Sequence, residues 1–340
     1  MSDLIFYIVL IPFIFLINNF LRKRNLLINT SGSKHQTFAA SQKVPLSGGI
    51  IILIFFLLNN ETPDNQTFSL FLLFFFMLGF ISDNSLIKSP IQRFFLQIIL
   101  LASFAYFFEL RIINTKVYIL DNLLENYYIN FLFVIFCLLI LINGTNFIDG
   151  CNTLSVGYYI LVLLVLLKLS LLNTINLNDI FVYKFLLILI IIYVFNIFNK
   201  LYLGDNGVYL LSLIFGYYLI SISFYNPSIS PFFVVLLLWY PAFENLFSLI
   251  RKLRLNKSPL YPDTYHFHQL LFYFLKKKIS KKNNFISGLT SNLINIYNGF
   301  MLLLGSTKIY DTTFLVSLII INIFLYIYIY LRLFSFRLKK

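Results

Sequence analysis

Apolar runs broken by short polar stretches repeat along the whole chain. They lie near 4–21, 45–60, 67–82, 91–108, 128–142, 154–172, 179–198, 207–225, 231–250, 285–305 and 312–332. A transmembrane helix needs about 20 mostly apolar residues, so the pattern predicts an all-α polytopic membrane protein with about 11 transmembrane helices. The second and fifth runs are short. The tenth, ISGLTSNLINIYNGFMLLLG, is polar. Composition points the same way. The chain is 59% hydrophobic and 11% charged, with a mean hydropathy of +0.85. Soluble domains carry roughly 25% charged residues, and a water-soluble fold has no way to hide this much apolar surface.

Charge then orients the spans. The net charge of +13 would suit nucleic acid, but its placement argues for membrane topology instead. With the N-terminus outside, one set of connections holds Arg22, Lys23, Arg24, Lys34 and Lys43, then Lys88 and Arg93, then Lys200. The run from Arg251 to Lys282 and the tail Arg332, Arg337, Lys339 and Lys340 fall on the same side. The other side has Arg111, Lys116 and Lys308, with Lys168 and Lys184 near its edge. Basic residues mark the cytoplasmic side, so the C-terminus is expected there. The first apolar run precedes its basic cluster, the reverse of a secretory signal, and reads as an uncleaved span. No long disordered tail and no internal repeat is evident. Cys137 and Cys151 form no metal framework and give no argument for a disulfide.

The acids sort the other way. Most, including Glu61, Asp64 and Asp179, fall on the outer side, and Asp83, Asp149, Asp205, Glu244 and Asp263 lie among the bases. Each of these five sits in an unusual polar stretch. KVPLSGGI (43–50) leads into the second run with paired glycines that allow close backbone approach. GFISDNSLIKSPIQRF (79–94) puts Asp83 at the end of the third run, near Lys88 and Arg93. It reads either as an interface charge or as a functional carboxylate at membrane depth. In NGTNFIDGCNT (143–153), Asn143, Asn146 and Asp149 recur every third residue and would share one helical face. They suit a metal, or a phosphate and a sugar hydroxyl. Asn143-Gly144-Thr145 is also a glycosylation sequon, a reading that fails on a cytoplasmic loop.

LYLGDNGVYL (201–210) sets Asp205 between Gly204 and Gly207 at a helix start. It suits a hard-cation ligand or an N-cap. In PAFENLFSLIRKLRLNKSPLYPDTYHFHQLL (241–271), Glu244 and Arg251 precede a basic stretch and then His266 and His268. Zinc would need a further cysteine or histidine beside these two, so imidazoles contacting phosphate is the better reading. The basic stretch also suits attraction to lipid headgroups. Taken together, one face supplies carboxylates for Mg²⁺, which is typically held by one or two carboxylates plus substrate phosphates, and bases for the phosphates themselves.

This ordered set resembles the polyprenyl-phosphate N-acetylhexosamine-1-phosphate transferases, membrane enzymes related to the phospho-MurNAc-pentapeptide transferase. The resemblance runs from about Lys43 to about Leu271. The family's Pro-x-x-Gly-Gly resembles Pro45 to Gly49, and its Asp-Asp falls at Ser82-Asp83. Its Asn-x-x-Asn-x-x-Asp-Gly matches Asn143, Asn146, Asp149 and Gly150. Its Gly-Asp-x-Gly matches Gly204, Asp205 and Gly207, and its Pro-x-x-Asp-Thr resembles Pro241 to Asn245. Its His-x-His-His loop resembles His266, His268 and Gln269. Three positions depart: Ser82 stands for the first aspartate, Asn152 for a second aspartate after Asp149-Gly150, and Gln269 for the last histidine.

The resemblance implies one membrane-embedded transferase domain over 1–340, with the active site on the cytoplasmic face and a basic loop at 251–284 carrying the histidines. The implied reaction joins the sugar-1-phosphate of a UDP-N-acetylhexosamine to undecaprenyl or another polyprenyl phosphate. It releases UMP and initiates surface polysaccharide synthesis at a bacterial inner membrane. Asp205 and Asp83 are implied to hold Mg²⁺, with Mn²⁺ as the alternative, and Asp83 also to act on the lipid phosphate. Asn143, Asn146 and Asp149 would organise nucleotide and sugar, and His266 and His268 the phosphates. Lys43, Lys88, Arg93, Glu244 and Arg251 complete the expected substrate contacts. A homodimer is compatible with this reading. Two rivals are a transporter, whose polar residues would sit near the midplane, and a non-catalytic homologue that the Ser82 departure would produce.

Overall fold

The computed structural model describes residues 2–28, 43–59, 65–175, 177–256, 258 and 263–339. Lys34, Glu61, Asp64, Lys257 and Lys340, used above for orientation, lie outside the described residues. The described residues form fourteen helices and no strand. They are α1 (Ser2–Arg24), α2 (Gly48–Leu58), α3 (Asn65–Asp83), α4 (Pro90–Phe107), α5 (Tyr118–Leu124), α6 (Tyr127–Ile148) and α7 (Leu154–Leu171). After them come α8 (Asp179–Ile197), α9 (Gly204–Tyr225), α10 (Pro231–Leu237), α11 (Trp239–Arg254), α12 (Phe267–Lys278), α13 (Asn283–Gly305) and α14 (Thr312–Leu338). Helices suit apolar runs because all their backbone polar groups pair within the segment. Polar residues set several starts: Ser89, Asn126, Asn178 and Asp311 each accept a backbone N–H in the first turn that follows.

Every apolar run lies on a helix, yet the expected count of eleven spans is not reached. Seven helices among the described residues are long and apolar enough to cross a membrane: α3, α4, α6, α7, α8, α9 and α14. The chain is a polytopic membrane protein. α2 has 11 residues, too few to span alone. The ninth run is a pair, α10 and α11, bent by 75°, and it makes an eighth span if the two are joined. Pro241 explains the break, since it has no N–H to donate to the carbonyl of Leu237. The Tyr158 hydroxyl donates to that carbonyl instead, at 3.0 Å. α1 and α13 also fall outside the seven. In α13 the cause is a buried polar stripe of Ser287, Thr290, Ser291, Asn295 and Asn298.

α9 is the hub, packed against α2, α3, α6 and α10. Its first turn meets two neighbours backbone to backbone. A Cβ on Gly79 of α3 would fall 2.3 Å from Asn206 Cα, and one on Gly49 of α2 would fall 2.7 Å from Gly207 N. Only glycine permits that approach. At the same end of the bundle, α1 is tied in by Asn18, which donates to Lys200 O at 3.0 Å and accepts from Ser47 Oγ at 2.6 Å.

Candidate active site

The ends of α3, α4 and α9 build the first half of the site. Gly204 (φ +74°) turns the chain into α9. The first backbone N–H groups of a helix lack partners within it. Asp83, at the end of α3, supplies them: its Oδ1 accepts from Asp205 N (2.9 Å) and its Oδ2 from Asn206 N (3.0 Å) and Asn206 Nδ2 (2.5 Å). Asp83 is thus a capping carboxylate reaching across from another helix. The Asp205 side chain stays 21% exposed. Its Oδ2 accepts from Ser82 Oγ at 2.5 Å, and Arg93 Nη1 lies 3.5 Å from the same oxygen. Arg93 Nη1 also donates to Ser82 Oγ at 2.9 Å. The serine standing for an aspartate is therefore a bridge between Arg93 and Asp205.

The polar island forms the second element. α6 runs on to Ile148, so Asn143 and Asn146 are helical, and Asp149 closes the helix. Asn143 Nδ2 donates to Gln97 Oε1 (3.2 Å) and to Leu139 O (2.9 Å). Asn146 has no hydrogen-bond partner among the described residues. Asp149 Oδ1 accepts from the Ser155 hydroxyl. Burial pushes the Asp149 carboxyl up to about 7; the Ser155 bond opposes this and the Asp205 carboxylate adds to it. The two carboxylates therefore feel each other across the site.

The turn after Asp149 is held rigidly. Thr153 sits at φ 68°, a costly position for a β-branched residue. Asn196 Oδ1 accepts from Thr153 N (3.1 Å), and Ser287 Oγ accepts from Asn152 N (3.0 Å). Asn152 Nδ2 donates to Asn199 Oδ1 at 2.5 Å, so this second departure serves as a brace. Asn295 Nδ2 reaches Leu154 O at 3.3 Å. The polar stripe of α13 thus supports the island.

The histidine segment is the third element. Glu244 is buried and accepts three hydrogen bonds: from His266 Nδ1 (2.9 Å), Phe267 N (3.3 Å) and Tyr326 OH (2.6 Å). The other ring nitrogen of His266 faces Asp263 Oδ1 at 3.6 Å. Arg251 holds Asp263 through both guanidinium branches, at 2.5 and 3.2 Å. Burial works against the Asp263 charge, but the Arg251 bond outweighs it and the carboxyl lies below its usual range. Gln269 Oε1 accepts from His266 N at 3.2 Å, which closes a capping box for α12.

His268 is fully buried, and neither ring nitrogen has a hydrogen-bond partner among the described residues. Its Nε2 lies 2.3 Å from where a Cβ on Gly150 would sit, so it looks straight at the Asp149–Gly150 corner. Burial lowers its pKa to about 3, with the neighbouring His266 adding to the effect and Glu244 opposing it.

The structure thus brings Asp83, Arg93 and Asp205 together, and Asp149 with His268. Glu244, His266, Asp263 and Arg251 join that second group through the rings of Phe147 and His266, 4.8 Å apart. Lys43 and Lys88 are exposed and form no ion pair among the described residues. Sequence reading missed the roles of Gln97, Ser155, Asn206 and Tyr326, all of which need contacts between distant segments. A cavity of about 580 Å³ lies elsewhere, toward the other end of α9 among Phe181, Phe185, Phe215 and Tyr217, and no motif residue lines it.

Residues 66–223 match the family model of glycosyl transferase family 4. The match covers just under half of the 340-residue chain, and over that segment the protein is similar to glycosyl transferase family 4. A search of the curated proteins finds no match. This likeness, with the apolar helices, supports a membrane transferase. The matched segment spans α3 to α9 and holds Asp83, Arg93, Asn143, Asn146, Asp149 and Asp205. The histidine segment and α11 to α14 lie beyond it.

The donor set fits a hard divalent cation. Asp205 Oδ1 and Asp149 Oδ2 accept no hydrogen bond among the described residues, and a cation at either carboxylate would offset the effect of the Asp205 charge on Asp149. No group of three or more His, Cys, Asp or Glu converges as a closed cage among the described residues. One or two carboxylates with substrate phosphates completing the shell is how Mg²⁺ is typically held.

Proposed function

We propose that the protein transfers an N-acetylhexosamine-1-phosphate from a UDP-sugar to polyprenyl phosphate in a bacterial inner membrane, with release of UMP. The observation that carries this reading is the meeting of Asp205 and Arg93, from separate helices, at Ser82, with the Asp149 carboxylate near enough to be raised by the Asp205 charge. An oxygen of the lipid phosphate attacks the sugar-linked phosphorus of the donor. A new P–O bond forms there, the P–O bond to the UMP phosphate breaks, and UMP leaves. Two anions must approach, so charge neutralisation is the main task.

Asp205 and Asp149 are the residues that would hold Mg²⁺, which when bound neutralises phosphate charge. Asp83 fixes the α9 terminus, and so the direction of Asp205, and this narrows the role expected of it as a metal ligand or base. A base is dispensable, since a phosphate monoester has a second pKa of about 6 and is largely dianionic near neutral pH. Arg93 supplies a positive charge beside Asp205. Asn146 is free to bind donor hydroxyls, and His268 offers a neutral ring to the same corner. The bias of basic residues supports a cytoplasmic position for this end, where UDP-sugars are made.

The test is transfer by purified protein with undecaprenyl phosphate, Mg²⁺ and a panel of UDP-N-acetylhexosamines, read as UMP release and a new lipid-linked sugar. Asp205→Asn is expected to abolish transfer in protein that is still folded and inserted. Near-normal turnover in that variant would remove the metal assignment. A second reading, binding without turnover, has one observation in its favour: Ser82 and Arg93 already occupy one oxygen of Asp205. It requires UDP-sugar binding with no UMP release for any sugar.

A further inference from the structure

The C-terminal helix α14 lies outside the family match, yet it grips the histidine segment at successive turns of one face. Tyr326 OH donates to Glu244 Oε2 (2.6 Å), the carboxylate that also holds His266 Nδ1. One turn on, Tyr330 OH donates to Tyr265 O (3.0 Å). Two turns further, Arg337 donates to the carbonyl of Thr264 and to its hydroxyl, and its guanidinium lies 4.7 Å from the Tyr265 ring centroid. The Phe334 ring adds an edge contact to Tyr265 at 5.5 Å. Spacings of about three to four residues put these side chains on one helical stripe.

We propose that α14 is a clamp on residues 263–268 and that Tyr326 is a positioning residue for His266, acting through Glu244. The Tyr326 ring is fixed independently of its hydroxyl, stacked on Phe267 (4.9 Å) and edge-on to Phe243 (5.0 Å). The hydroxyl therefore comes to Glu244 in one direction only. With Oε2 held by Tyr326, Oε1 is left to take His266 Nδ1 and Phe267 N. That fixes the imidazole plane and turns its other nitrogen toward Asp263 Oδ1, 3.6 Å away. The clamp joins the end of the chain to the site without contributing an atom to the reaction. The kinetic half of this inference rests on the transferase reading above; the structural half does not.

The experiment uses the full chain in detergent and has two arms. In the kinetic arm, wild type, Tyr326→Phe, His266→Gln and the double variant form a mutant cycle. Tyr326→Phe keeps the ring packing and removes one hydrogen bond to a charged group, and kcat is expected to fall about tenfold with KM for the UDP-sugar little changed. In the His266→Gln background the same change is expected to have no further effect, because both residues act as one unit. Additive losses, or an unchanged kcat in Tyr326→Phe, would overturn the positioning role. In the second arm, amide hydrogen exchange is followed over 263–268 in Tyr330→Phe and Arg337→Gln. Exchange about tenfold faster there, with α3 to α9 unchanged, is expected. Unchanged exchange would overturn the clamp. Wild-type protein that gives no transfer, together with the faster exchange in the variants, would reject the transferase reading and leave the clamp standing.

Discussion

At the scale of single residues, each carboxylate in the site does a different job because its surroundings differ. Asp83 is saturated by the N–H groups of α9, Asp205 keeps one oxygen free, and Asp149 is half-buried with one partner. Ser82→Asp adds a carboxylate beside Asp205. It is expected to tighten the apparent affinity for Mg²⁺ severalfold, measured from the metal dependence of UMP release; an unchanged dependence would show that Ser82 is not beside the metal.

His268 makes a pH prediction. Its ordinary value is 6.5 and its folded value about 3, so between those two values the unfolded chain binds the extra proton and stability falls as pH falls. At pH 5 the loss is about 2 kcal/mol by linkage, and it is absent above about pH 7. Thermal unfolding in detergent should show this acid loss in wild type and a smaller one in His268→Gln. Equal acid losses in the two would contradict a buried neutral imidazole.

At the scale of elements, close packing around the start of α9 decides the geometry. Gly79→Ala puts a methyl 2.3 Å from Asn206 Cα, and the backbone there has nowhere to go. Destabilisation of about 1–3 kcal/mol is expected, with loss of transfer, since overpacking moves the turn that carries Asp205. Gly288→Ala on α13 meets nothing within 4 Å and should be neutral or slightly stabilising. Equal unfolding midpoints for the two variants would contradict the packing described here.

Helices were the legible part of the sequence, because an apolar run must pair its own backbone in a membrane. The bend at Leu238 was not, since it depends on Tyr158 replacing the donor that Pro241 lacks. The polarity of α13 is visible in the sequence, but its reason, the bracing of the island by Ser287 and Asn295, lies in contacts between distant segments. Of the site, the carboxylates and histidines were legible as motifs. The capping role of Asp83 and the hold of Tyr326 on Glu244 were not, because they join positions far apart in the chain.

At the scale of the whole molecule, the apolar helices fix the protein in a membrane and gather the polar motifs at one end. A transporter would need polar groups near the middle of the bilayer, whereas here Asp83, Asp149 and Asp205 all sit at helix ends. The arrangement suits a reaction between a lipid phosphate and a water-soluble donor meeting at one surface. The measurement that tests this most directly is magnesium-dependent transfer by purified wild type and Asp205→Asn side by side. UMP release and a lipid-linked sugar from wild type, both absent in the variant, is the expected result. Folded wild-type protein that binds UDP-sugar yet releases no UMP with any sugar would contradict it.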